Sequence, residues 1–189
     1  MLKKNKKMLT MNKMKFLLLA GIFCLLSVSA NAQQLAFKTN VLSDAFMTPS
    51  LGFELVTGEH SSVDIQAATT VGKPWGKEIN MTLVQPEYRF WYAGRPMTRG
   101  FIGFAATLAQ YDVTWSKTTY DGYCGGLGIS MGYVFHLNSH MNIEMQGGVG
   151  GYYTHHKQYR GEPAADEQYH NAFQMLPSKV GISFVYILK

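Results

Sequence analysis

Between residues 83 and 92 the side chains Val84, Tyr88, Phe90 and Tyr92 alternate with Gln85, Glu87, Arg89 and Trp91. A repeat of two residues marks a β-strand with two unlike faces. One face here is aromatic and branched, and the other carries an acid and a base two positions apart. The same period recurs along the chain. A first segment sets Leu35, Phe37, Thr39 and Val41 against Ala36, Lys38 and Asn40, a second sets Leu51, Phe53 and Leu55 against Gly52 and Glu54, and a third sets Val63, Ile65 and Ala67 against Asp64 and Gln66. The fifth, over 101–115, puts Tyr111, Val113 and Trp115 opposite Gln110, Asp112 and Thr114. A sixth opposes Tyr123, Leu127, Ile129, Met131, Tyr133 and Phe135 to glycines and Ser130, and a seventh opposes Met141, Ile143, Met145 and Val149 to Asn142, Glu144 and Gln146. The eighth is Val180, Ile182, Phe184, Tyr186 and Leu188. The fold class is therefore all-β.

Eight strands at about 20 residues per strand and connection suit an eight-stranded antiparallel up-and-down transmembrane β-barrel, its apolar face toward lipid and its polar face toward the lumen. Connections at 58–61, 94–100 and 137–140 would lie at one end, and longer loops at 43–50, 72–77, 116–121 and 154–174 at the other. Short turns on one side and long loops on the other are the outer-membrane arrangement. Two aromatic girdles are expected, Trp91, Tyr92, Tyr133, Phe135 and Tyr186 at one rim and Trp115, Tyr120, Tyr123 and Tyr153 at the other. The lumen is expected to pair Lys38, Arg89 and Lys179 with Glu54, Asp64, Glu87, Asp112 and Glu144, so that side chains fill it. Pro86 removes a ladder hydrogen bond from a strand that has no free edge, which predicts a bulge that would re-aim Trp91.

Ahead of the strands, residues 1–15 hold six lysines and no acid, 16–28 are almost wholly apolar, and Ala30-Asn31-Ala32 has the small residues of a cleavage site. That pattern is a secretory signal peptide, with one barrel domain over 33–189. Thirteen apolar residues are too few for a membrane helix. Phe23 ahead of Cys24 lacks the small residue a lipid-anchor site needs. Of the 17 Lys and Arg, six precede Ala32 and none of the 12 Asp and Glu does, so the remainder is balanced at 11 against 12. The basic pI thus belongs to the leader, and nucleic acid is not a partner. With only Cys124 left after cleavage, no internal disulfide forms.

Chemistry is sparse. Gly147, Gly148, Gly150 and Gly151 lack the lysine and helix of a phosphate loop and read as strand glycines. His155, His156, Asp166, Glu167 and His170 could ligate a divalent metal, but their spacing matches no defined site. Ser116, His155 or His156, and Asp166 could approach as a hydrolytic triad at the rim, yet no nucleophile elbow accompanies them. No catalytic, cofactor or metal residue is assigned. Lys38-Thr39-Asn40-Val41-Leu42, the 83–92 stretch and Lys179-Val180-Gly181-Ile182-Ser183 together resemble a domain-of-unknown-function family of small outer-membrane β-barrel proteins of Bacteroides-type bacteria. The resemblance implies an envelope setting near fimbrial or surface proteins, with outer-membrane lipids as partners, and it carries over no catalytic residue. The expectation is a monomeric, non-enzymatic barrel. The alternatives are a soluble lipocalin-like binder and an outer-membrane lipid hydrolase or acyltransferase.

Overall fold

A sheet with two unlike faces can bury one of them by closing on itself, which also removes its free edges. In the computed structural model, eight antiparallel strands pair in sequence order and close into a barrel. It describes residues 34–74, 79–115, 118–159 and 169–188, without the side chains of Trp115, Thr118, Gln158, Tyr159, Tyr169 and His170. The predicted signal peptide lies outside these residues. The strands are β1 (Leu35–Asn40), β2 (Ser50–Gly58), β3 (Ser61–Thr69), β4 (Ile79–Trp91), β5 (Arg99–Trp115), β6 (Thr118–His136), β7 (Met141–Tyr159) and β8 (Tyr169–Ile187). Closure runs from Ala36 opposite Ile187 to Asn40 opposite Ser183. A single helical turn, α1 (Val41–Ala45), follows β1 and is capped by the Asn40 side chain, which accepts from the Leu42 and Ser43 amides.

The wall is uneven. β1 has 6 residues, whereas β6, β7 and β8 have 19 each, or about 60 Å of extended chain. This corrects two expected loops. The 116–121 connection shrinks because β6 starts at Thr118, and much of 154–174 is strand, with Thr154 opposite Ala172 and Lys157 opposite Tyr169. Those residues lack hydrophobic alternation because the inner face of the wall top is only partly buried and carries polar side chains, Thr154 and His156 among them. Their Tyr, Thr and Phe content still favours extended backbone.

The expected bulge at Pro86 is also absent. Ile65 faces Pro86 without a shift, and the β4–β5 register is the same on either side of it, Val84 with Leu108 and Glu87 with Ala105. The ladder to β5 loses pairing at Gln85 and Pro86 and keeps its phase. Register shifts occur instead between Val56 and Gly58 and opposite Gly148–Val149, where Ser178 is the extra residue.

Side-chain direction follows parity. Even-numbered residues of β1, β2, β3, β6 and β7, and odd-numbered residues of β4, β5 and lower β8, face the lumen. The opposite faces leave Phe53, Tyr88, Phe104, Leu127, Ile129, Met131, Val149 and Val180 exposed. At the short-turn end the lumen is sealed by two apolar groups, Ala36, Met97, Val185 and Ile187 in one and Trp91, Phe101 and Val134 in the other. Met97 reaches the seal from the 92–98 turn, which bends into the barrel mouth. The Asn142 amide donates to its carbonyl at 3.0 Å.

Candidate functional site

Above this seal, seven charged side chains meet. Lys38 comes from β1, Glu54 from β2, Asp64 from β3, Glu87 and Arg89 from β4, Glu144 from β7 and Lys179 from β8, and none is more than 5 % exposed. The strands put them at one height because Glu54 stands opposite Asp64, and Asp64 opposite Glu87, in the ladder. Seven of the eight residues expected in the lumen are thus brought together.

Arg89 is the hub. Its Nε donates to Glu87 at 2.7 Å, one terminal nitrogen to Glu54 at 3.2 Å and Glu144 at 2.9 Å, and the other to Asp64 at 3.0 Å and Gln146 at 3.1 Å. These five bonds match the five N–H donors of a guanidinium. The Phe101 ring lies below it, 4.3 Å from the guanidinium carbon, so the cation also rests on the apolar seal. Lys38 pairs with Glu54 and, at 2.7 Å, with Glu144. Lys179 donates to Glu87 at 2.8 Å and Asp64 at 3.2 Å. Interleaving the signs in this way holds the buried carboxylates apart with a cation between them. An isolated ion there would lose several kcal/mol of hydration.

Neutral groups complete the layer; the sequence pattern puts Ser130 and Gln146 on polar faces without assigning them to it, and it misses Ser62. Ser62 donates to Glu54, Ser130 donates to Glu87, and Gln146 accepts from Arg89. Their parity was the available signal, since Ser62 lies two residues before Asp64 and Gln146 two after Glu144. Gly103 leaves room for Glu87 and Ser130, because a Cβ there would overlap both side chains.

Three expected positions are corrected. Asp112 is exposed on the outer side of β5 with Ile102, Phe104 and Leu108, because unbroken alternation from the apolar middle of that strand carries even residues outward. Trp91 is fully buried in the lower lumen against Phe101, with its indole N–H on Ser62. Tyr120 lies on the inner side of β6, its ring 5.9 Å from that of His156. Of the other expected girdle residues, Tyr92, Tyr133, Phe135 and Tyr186 are exposed near the turn end and Tyr123 and Tyr153 nearer the opposite end. The Trp115 side chain lies outside the described residues.

Of the candidate catalytic and metal groups, the described residues include His155 and His156, and the backbone of His170 stands opposite His156 in the β7–β8 ladder. His155 and His156 are neighbours on β7 and so take opposite faces, His155 beside Tyr123 and Asn171 and His156 beside Tyr120. Ser116, Asp166, Glu167 and the His170 side chain lie outside the described residues. Gly147 to Gly151 run within β7 as strand.

Residues 18–188 match the model of a family described as "Protein of unknown function (DUF3575)". No curated protein and no solved structure matches the chain.

Proposed function

The chain belongs to this family of unknown function, and from its geometry we propose that it is an outer-membrane barrel with a structural, non-enzymatic role in the cell envelope. One observation carries the reading: the barrel is polar inside and apolar outside. Arg89, Glu54 and Asp64 are buried, while Leu127, Met131, Phe104 and Val149 are each more than half exposed. Water penalises such an outer surface, whereas hydrocarbon rewards it and requires that backbone groups be paired within a closed sheet. On this reading Tyr92, Tyr133, Phe135 and Tyr186 form one interfacial girdle and Tyr123 and Tyr153 part of the other. The leader over 1–32 directs export, lipid is the principal partner, and the protein is a monomer whose taller wall, β5–β8, stands clear of the membrane for contact with fimbrial or other envelope proteins.

The test is fractionation combined with heat-modifiable gel mobility. The protein is expected in the outer-membrane fraction, migrating differently before and after boiling. Recovery in the soluble periplasmic fraction would replace this reading with that of a soluble lipocalin-like binder.

A further inference from the structure

Between the charged layer and α1 the lumen widens into a cavity of about 260 Å³, just under the usual span of small-ligand pockets, about 300 to 1,000 Å³. Lys179 forms part of its floor, and Ser43, Phe46 and Thr48 close over it from α1 and the following turn. Two polar groups in its wall are unused. The Gln66 side chain is 7 % exposed and makes no hydrogen bond with any described residue. The Ser178 hydroxyl, turned inward at the β8 bulge, is buried without a partner. Other polar groups of the wall are engaged: Asn40 caps α1, Ser50 bonds Asp44, and the Gln85 Nε2 donates to Thr107 and to the Ser178 carbonyl.

We infer that this cavity is a binding site for a neutral, amide-bearing polyol of monosaccharide size. An amide side chain presents a carbonyl and an NH₂ together, which pair with the N–H and C=O of a secondary amide. Ala68, Met81 and Leu83 supply an apolar wall for a methyl group, and Phe46 a ring at the rim for the apolar face of a sugar. Charge selects against ions. The layer beneath is nearly balanced, four carboxylates against three cations, with Lys179 tied to Glu87 and Asp64, and Asp44 at the rim beside Ser50 is held by local bonds, so neither offers an anion a free cation. A cation meets Lys179 in the floor. The site is built from inward faces, so it stands whether or not the barrel is embedded in lipid.

N-acetylglucosamine is the probe, titrated into the purified, folded protein carrying ¹³C-methyl methionine. Met81 lines the cavity, whereas Met131 and Met175 are on the outer surface. The expected result is a saturable shift of the Met81 methyl with a dissociation constant on the order of 1 mM, with Met131 and Met175 still. Gln66→Leu is expected to weaken binding at least about tenfold, the loss of one to two net hydrogen bonds. No saturable Met81 shift, equal shifts at all three methyls, unchanged binding by Gln66→Leu, or equal binding of acetate overturns the inference. The wild-type titration decides even if the variant does not fold.

Discussion

Trp91 donates its indole N–H to the Ser62 hydroxyl at 2.8 Å, and that hydroxyl donates onward to Glu54 at 2.5 Å. One serine therefore joins the apolar seal to the charged layer. Ser62→Ala strands a buried N–H and takes a donor from a buried carboxylate, which costs about 1 to 3 kcal/mol. Trp91→Phe removes the other end of the same bond, so the two substitutions are expected to be non-additive in denaturant unfolding, with a coupling of about 0.5 to 3 kcal/mol. Strict additivity would show that the hydroxyl does not link the layers.

Arg89→Ala leaves Glu87, Glu54, Glu144 and Asp64 facing one another without their common cation. Breaking a buried ion pair in this way costs about 3 to 5 kcal/mol. Arg95, exposed on the turn after β4, is the control, and Arg95→Ala is expected to stay within about 0.5 kcal/mol. Arg89→Lys is expected to rescue little, since an ammonium has three donors where five bonds are made. Equal unfolding midpoints for Arg89→Ala and Arg95→Ala would contradict the hub assignment.

Ile129 lies outward on β6 between Tyr123 and Tyr133 and is more than half exposed. If lipid surrounds that face, Ile129→Arg lowers stability in vesicles by about 2 to 4 kcal/mol. The exchange on a water-exposed surface falls within about 0.5 kcal/mol, so a neutral result argues against the membrane reading on grounds separate from fractionation.

Two glycines predict opposite outcomes. A Cβ at Gly132 meets the Phe101 ring and the Met145 carbonyl, whereas nothing lies within 4 Å of one at Gly147. Gly132→Ala is expected to cost about 1 to 3 kcal/mol by overpacking the seal. Gly147→Ala is expected to be neutral or stabilising, since glycine is the weaker strand residue. Thermal unfolding of the pair checks this, and similar losses for both would show that the seal is loosely packed.

The apolar seal and the charge layer together leave no straight path through the barrel. Planar-bilayer recordings are expected to show no large steady conductance. A stable, ion-selective pore of nanosiemens size would mean that Arg89 and its partners do not occupy the lumen as a layer.

The strands and their faces were legible where the two environments differ most. Along Gln85, Glu87 and Arg89, and along Asp64 and Glu144, each charge falls between apolar neighbours, and the pattern alone gives its direction. Legibility failed at strand ends. Asp112 and Tyr120 lie in the tall wall, where both faces tolerate polar groups, so residue type no longer marks direction and only counting from the strand's middle does. Trp91 was misplaced through chemistry. An indole suits an interface, and nothing local announces that Ser62, from another strand, waits for its N–H inside. The Pro86 bulge failed for a related reason: a missing N–H costs the ladder one rung, and the packing of Glu87, Arg89 and Trp91 in the lumen fixes the phase on either side. The cavity was invisible altogether, since Gln66 and Ser178 come together only through barrel closure and a bulge.

The difference in height between β1 and β6–β8 separates the parts of the chain that selection must keep from those it can alter. All eight strands contribute to the lower barrel, and most changes to its inner face disturb a neighbour's charge or volume. The upper ends of β5 to β8 touch neither the seal nor the charge layer. Insertions and substitutions at those tips can therefore accumulate without loss of folding, and related chains are expected to diverge most in the upper hairpins while keeping the seven charges at their posts.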